Sequence, residues 1–357
     1  MPRAPISPAI REIGRQLGVV IPGGGDPTTK VVETCLAKVR TWCDQLGPVS
    51  SFADLLTIAA AKLKVHFEVL KTNDDLVAVR ERYLSSRETG FLNLDREFDE
   101  YTDAVVIRLQ HQPSWSDKQY VAVIDSRGAK TSREWFSKWH ELAHLIAEPQ
   151  TKFAFRRTQF TRRDPVERLM DQIAGELAFF SDLLLPLLKR HRIDLNAASL
   201  PALLKFREAA FPFASAQATL TAALRQSPTP AVLIEAKSEL KGSEQRDQAQ
   251  GLLFAEVAPT PVLRAVTTTH NPEAIRRKFY IHRWMRVPDA SIIRRVFDGD
   301  LTDEKTAIEE NLSWWESQGK RLPDRRVTVQ AMRAGSGRVL ALITPAATPA
   351  LEVQRRT

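Results

Sequence analysis

The chain has 357 residues, a formal net charge of +8, 43% hydrophobic and 26% charged residues, and two cysteines, Cys35 and Cys43. Its apolar content supports packed cores and excludes wholesale disorder, and its length suits two domains. Two cysteines exclude a disulfide framework, no segment approaches the roughly 18 apolar residues of a membrane span, and the opening M-P-R-A-P-I-S-P lacks the apolar core of a signal peptide, so a cytoplasmic chain with no membrane partner is expected.

Residues 1–28, rich in Pro and Gly, read as a flexible tail with one short helix around Ile10 to Leu17. Helical spacing predicts helices over Thr29 to Leu46 and Ser51 to Leu63, and short β-branched runs predict strands over Val65 to Leu70, Ala104 to Leu109 and Tyr120 to Ile124. Helices are then expected at Thr131 to Ala147, Pro165 to Leu188, Ser199 to Ala210 and Ser215 to Gln226. The P-T-P at 228–230 and the polar stretch Lys237 to Gln250 mark a boundary or long loop. Beyond it, strands at Leu252 to Val257 and Val262 to Thr267, helices at Ala290 to Phe297 and Asp303 to Ser317, and a hairpin of Val327 to Arg333 with Arg338 to Thr344 around A-G-S-G complete a mixed α/β pattern.

The chemistry concentrates in W-H-E-L-A-H-L-I-A. Thr131 and Glu134 fit a capping box, which starts a helix there. On it His140 and His144 are four residues apart, so both imidazoles face one way and can take two corners of a zinc site. Glu141 adjoins the first histidine, where its carboxylate can act as base toward a water that the metal activates. One Zn2+ per chain is expected.

A metzincin would continue with Gly and His, but Ala147 and Gln150 stand at those offsets. The third ligand is then a carboxylate from the helix that Asp164 and Pro165 begin, with Glu167, Asp171 and Glu176 as candidates. Glu167 and Asp171 share a face; Glu176, nine residues beyond Glu167, lies on about the opposite side. With Asp164 as N-cap, Glu167 also sits where a capping box would use it.

The E-x-x-x-D spacing after H-E-x-x-H resembles gluzincins, which implies Glu167 as zinc ligand and Asp171 as the carboxylate that hydrogen-bonds a ligand histidine. H-E-L-A-H followed by E-R-L-M-D-Q-I-A-G-E-L-A resembles the ImmA/IrrE family of zinc metallopeptidases over about residues 30–235. On that family's second motif, Glu167 takes the ligand position, Asp171 the Asn/Asp position, and Ile173, Ala174, Gly175, Glu176 and Leu177 match. Met170 departs from a small residue, and Ala178, Phe179 and Phe180 depart from L-M-P. F-P-F-A-S-A-Q-A-T-L resembles the helical stretch that follows.

The resemblance implies an α+β chain: a tail over 1–28, a mainly helical zincin-like (gluzincin) metallopeptidase domain with a small sheet over 29–235, and a mixed α/β GAF-like sensor domain over 236–357. It implies an endopeptidase that cleaves a helix-turn-helix repressor to release a stress or phage-defence operon. A DNA-binding regulator with a structural zinc site and no protease activity is the alternative from another class.

Residues 241–357 carry 19 Lys and Arg against 14 Asp and Glu, which is +5 of the net +8. Within them, R-R-K-F-Y-I-H-R-W-M-R interleaves Arg276, Arg277, Lys278, Arg283 and Arg286 with Phe279, Tyr280 and Trp284, a pattern that neutralises phosphates and stacks bases. A solvated strand edge with core-facing aromatics is the competing reading. Single-stranded DNA is the expected activator, with Arg276, Arg277, Lys278, Arg283, Trp284 and Arg286 as its contacts. His66, His111, Tyr83, Tyr101 and Tyr120 are candidates for stabilising an oxyanion, and Cys35 and Cys43 read as packing residues.

Overall fold

A computed structural model of the chain describes residues 7–20, 25–47, 49–99, 102–111, 117–148, 155–158, 164–249, 259–301, 307–317, 319–335 and 337–346. The fold is α+β, with helices around two main sheets. The chain forms two compact units, Met1–Leu187 with Pro212–Ala218, and Leu188–Phe211 with Thr219–Thr357. Residues 188–211 and 219–235 therefore sort with the second unit, ahead of the bound at 235 that the motif resemblance implies. No helix among the described residues is long and apolar enough to cross a membrane.

The first unit runs α1 (Pro8–Gln16), α2 (Thr28–Leu46), α3 (Phe52–Lys62), β1 (Val65–Leu70), α4 (Asn73–Ser85), α5 (Leu94–Glu97), β2 (Thr102–Arg108), β3 (Tyr120–Asp125), α6 (Glu134–Ala147), β4 (Phe155–Thr158), α7 (Pro165–Ala178) and α8 (Ser181–Arg190). Its sheet has the order β1-β3-β2-β4, with β1 parallel to β3 and the other neighbours antiparallel. Val105, Ile107, Val121 and Val123 face a core built from Leu76, Val79, Tyr83, Phe91 and Leu94. The alternate positions Ala104, Val106, Ala122 and Ile124 are also buried, and α6 packs on β2 and β3. A sheet covered on both faces reads as unbroken apolar runs, which is how β2 and β3 appear in the sequence.

The short helix expected in the tail is present as α1, and its buried Ile10 and Ile13 pack it against α2 and α7 where a flexible segment was expected. Two other local expectations change. The helix expected over 165–188 is two, because α7 ends at Ala178 and α8 begins at Ser181 while Phe179 and Phe180 turn into the core. The helix α4 was not expected; its polar composition hid it, although Thr72 and Asp75 form a capping box at its start.

The second unit runs α9 (Leu200–Ala210), α10 (Ala216–Arg225), β5 (Val232–Glu239), α11 (Gly242–Ala249), β6 (Val262–His270), α12 (Pro272–Arg276), α13 (Ile292–Asp298), β7 (Ala307–Asn311), β8 (Glu316–Ser317), β9 (Lys320–Arg321), β10 (Arg326–Arg333) and β11 (Arg338–Pro345). Its five-stranded sheet, β6-β5-β11-β10-β7, is antiparallel throughout. Val232, Ile234, Ala265, Val327, Val329, Val339, Ala341 and Ile343 meet Ile292, Ile293, Val296 and Trp315 in one core. The expected hairpin is present as β10 and β11, with Gly335 and Gly337 at φ 81° and 70° supplying the left-handed turn. Part of the expected polar loop is instead the strand β5. The helix expected over 303–317 is replaced among the described residues by β7, a 3-10 turn at Leu312–Trp314 and β8. Pairing of β7 with β10 outweighs helix propensity there, and the buried Glu310 accepts bonds from Ser291 Oγ and the Ile292 N–H at the start of α13. The strand expected at 252–257 lies outside the described residues.

Asn271 ties the second unit together. Its side-chain oxygen accepts from the N–H groups of Ala231 and Ala274, and its amide donates toward the carbonyls of Leu224, Ser227 and Thr229.

Candidate metal centre

Helix α6 starts differently from the expected capping box. Residues Gly128–Arg133 form a 3-10 turn, in which Thr131 Oγ1 donates to the carbonyls of Ser126 and Gly128. Glu134 then opens α6, accepting from Ser126 Oγ at 2.9 Å and from Lys138 Nζ at 2.6 Å. Asp125, at the end of β3, holds this turn through Arg127 and Lys130 at 2.8 Å each. Lys130 also donates to the carbonyls of Asp99 and Thr102. Burial would raise the Asp125 carboxyl, but the two cations hold it below the usual range.

From Trp139 to Ala147 every residue of α6 is buried. Trp135 donates to the carbonyl of Ala178 at 3.3 Å, and a Cβ on Gly175 would sit 4.0 Å from the Phe136 ring. His140 meets Glu167 and Asp171. Rising positions on α6 thus meet falling positions on α7, and the two helices run antiparallel.

The histidine rings converge on that face. His140 Nε2 and His144 Nε2 are 3.2 Å apart, and the two Glu167 oxygens lie 3.2 Å from the first and 3.4 Å from the second. These donors lie within 4.8 Å of one another and form a group that can hold a metal ion. His140 Nδ1 faces Asp171 Oδ1 at 3.0 Å, and His144 Nδ1 faces Glu148 Oε2 at 3.5 Å. Glu167 is therefore at the donor position rather than bonded back to its own helix, and Asp164 alone caps α7 through the Val166 N–H. Glu176 stands outside the donor group.

The electrostatics follow from the crowding of acids and bases. Burial would raise the Glu167 carboxyl, but the two histidines hold it down to about 2. Burial would lower His144, yet Glu148, Glu167 and Glu141 outweigh it and lift the ring to about 9. Glu141 is itself fully buried beside them.

The other candidates are engaged elsewhere. Tyr83 is buried, bonds Glu68 at 3.1 Å and stacks on Phe91, while His66 faces Glu68 and His111 faces Glu88. Tyr120 opens β3, and Tyr101 lies outside the described residues. Cys35 is buried and its thiol is pushed up to about 12, and burial also raises Cys43.

In the basic segment of the second unit, Arg276, Arg277, Lys278, Arg283 and Arg286 are exposed, but Phe279, Ile281 and Met285 are buried. Arg276 and Arg277 pair with Glu273. Trp284 is half-buried at φ 71°, with the Arg283 guanidinium 5.0 Å from its ring centre. The cations thus face solvent and the aromatics divide, with Phe279 in the core. Sequence reasoning missed Glu148, whose signal was its place four residues after His144, and the buried Arg264, which reaches Glu244 and the Trp284 carbonyl.

The sequence matches no family model and no curated protein. Among solved structures the chain is similar to a Mycobacterium tuberculosis transcriptional regulator, with 9% identity, 94% of this chain and 80% of that chain covered, and a TM-score of 0.44. A likeness of that size carries no functional argument.

Proposed function

We propose that the chain is a zinc-dependent endopeptidase of gluzincin type. The observation that carries this reading is the convergence of the buried His140 Nε2 and His144 Nε2 with the half-buried Glu167 carboxylate in one group, with Glu141 on the same helix. The donor set fits zinc at a reactive site: three protein donors, two imidazoles and one carboxylate, where a closed structural site uses four. When bound, the ion supplies Lewis acidity toward a water molecule and the scissile carbonyl.

The chain's own residues do the rest. Asp171 takes the Nδ1–H of His140, which presents Nε2 as the donor atom. Glu167, held anionic by the two histidines, supplies the charge that balances the cation. Glu141 accepts the proton of the attacking water at its carboxylate and returns it to the nitrogen of the departing amine. Its burial keeps that carboxylate out of bulk water, where proton transfer is harder to direct.

The motif resemblance supports a helix-turn-helix repressor as substrate and action in the cytoplasm. The antiparallel sheet and helices of the second unit fit a GAF-like sensor, and its exposed cations support single-stranded DNA as activator. The test is metal analysis of the chain, followed by incubation with a repressor encoded beside it, with and without single-stranded DNA, the products being read by mass. Specific cuts that require zinc, and that disappear in Glu141→Gln, are expected. A chain that binds zinc tightly but leaves the repressor whole under every condition overturns the protease reading. Absence of oligonucleotide binding by fluorescence anisotropy at low salt overturns the DNA arm alone.

A further inference from the structure

Each imidazole of the donor group has two nitrogens on different edges of the ring, and the structure assigns them different work. Nε2 of both rings points into the group shared with Glu167. An imidazole that gives Nε2 to a metal carries its proton on Nδ1, so each ring needs an acceptor at that edge. For His140 that acceptor is Asp171, which comes from the facing helix.

For His144 the facing carboxylate is Glu148, at 3.5 Å from Nδ1. It comes from α6 itself: Glu148 is the C-cap residue, and its N–H donates to the His144 carbonyl at 2.7 Å. That backbone bond places the side chain one turn beyond the histidine, on the same edge of the helix. Because Glu148 approaches the edge of the ring away from Nε2, it cannot ligate the same ion and acts through the ring alone. We propose that Glu148 is the positioning residue of His144, fixing its tautomer and ring plane as Asp171 does for His140.

The proposal rests on the zinc reading and is tested on the metal-free full chain by chelator competition with Zn2+ and by the electronic spectrum of the Co2+-loaded protein. Asp171→Ala serves as the control. Glu148→Ala is expected to weaken zinc binding by about 10- to 100-fold, to leave one ion per chain, and to shift the Co2+ absorption bands. Glu148→Gln, whose amide oxygen can still accept from Nδ1–H, is expected to recover most of the affinity and the wild-type spectrum. Far-ultraviolet circular dichroism of the metal-free Glu148→Ala chain is expected to match wild type, which shows that the variant still folds. Unchanged affinity and spectrum in Glu148→Ala, with Asp171→Ala weakened, overturns the role of Glu148 and leaves the zinc reading standing. Glu148→Gln as weak as Glu148→Ala also overturns it, because charge rather than hydrogen-bond acceptance would then be at work. A wild-type chain that takes up neither Zn2+ nor Co2+ removes both.

Discussion

In the metal-free chain a proton should occupy the place proposed for the metal. His144 is lifted from an ordinary 6.5 to about 9, burial being outweighed by the carboxylates of Glu148, Glu167 and Glu141. The folded state thus binds this proton more tightly than the unfolded chain. The stability it contributes is fully present below pH 6.5 and is lost as pH rises through 9. At about 1.4 kcal/mol per unit, a rise from pH 6.5 to 9 removes on the order of 3 kcal/mol from the metal-free fold. Metal affinity runs the other way. Only the neutral ring ligates, so affinity should climb about tenfold per pH unit between pH 7 and 9, and uptake at pH 7 should release about one proton per ion.

The assays are urea unfolding of the chelator-treated chain, read by the fluorescence of Trp135 and Trp139 on α6, and zinc titration in weakly buffered solution at several pH values. His144→Gln isolates the ring from other titrating groups, since only the wild-type chain should show the slope. Metal-free stability that is flat or rising between pH 6.5 and 9, together with zinc uptake that releases no proton at pH 7, would refute the reasoning.

Other changes have separate readouts. Under the proposed mechanism Glu141→Gln should abolish repressor cleavage while zinc stoichiometry by elemental analysis stays at one, because the change removes the proposed base and no donor. Trp139→Ala, at a fully buried position of α6, should cost about 3–5 kcal/mol in urea unfolding. Asp125→Asn should cost about 3 kcal/mol at pH 7 by leaving Arg127 and Lys130 without their buried anion. Because the Asp125 carboxyl is held low, that contribution is present above its unfolded value near about 4 and lost as pH falls, so the gap between wild type and variant should shrink in acid. Asn271→Ala should lower the second unit's stability by about 2–4 kcal/mol, measured by hydrogen exchange at β5 and α12, since it strands the N–H groups of Ala231 and Ala274.

Much of the site could be read from spacing, because the relevant geometry is local. Two histidines four apart on a helix must share a face, and Asp164-Pro165 must begin a helix, whatever surrounds them. Apolar runs likewise marked β1, β2, β3 and the β10–β11 hairpin, since burial of a strand is written in its own residues. Where long-range packing decides, the sequence misleads. The segment 307–317 has helix-tolerant residues but is drawn into a sheet by β10, and the α7 helix stops because Phe179 and Phe180 find a core to enter.

The chain's own order thus determined which residues can be donors and which helix carries them. The tertiary structure decided among the carboxylates. Glu167, Asp171 and Glu176 lie on one helix; the motif resemblance implied Glu167 as ligand, but helix geometry alone does not say which of them meets the histidines. The antiparallel seating of α7 on α6 does, bringing Glu167 to both Nε2 atoms and Asp171 to one Nδ1 while leaving Glu176 outside the group. Charge counting alone already set the excess cations apart from the histidine helix; the structure added which of the C-terminal residues face solvent, burying Phe279 and exposing Arg286.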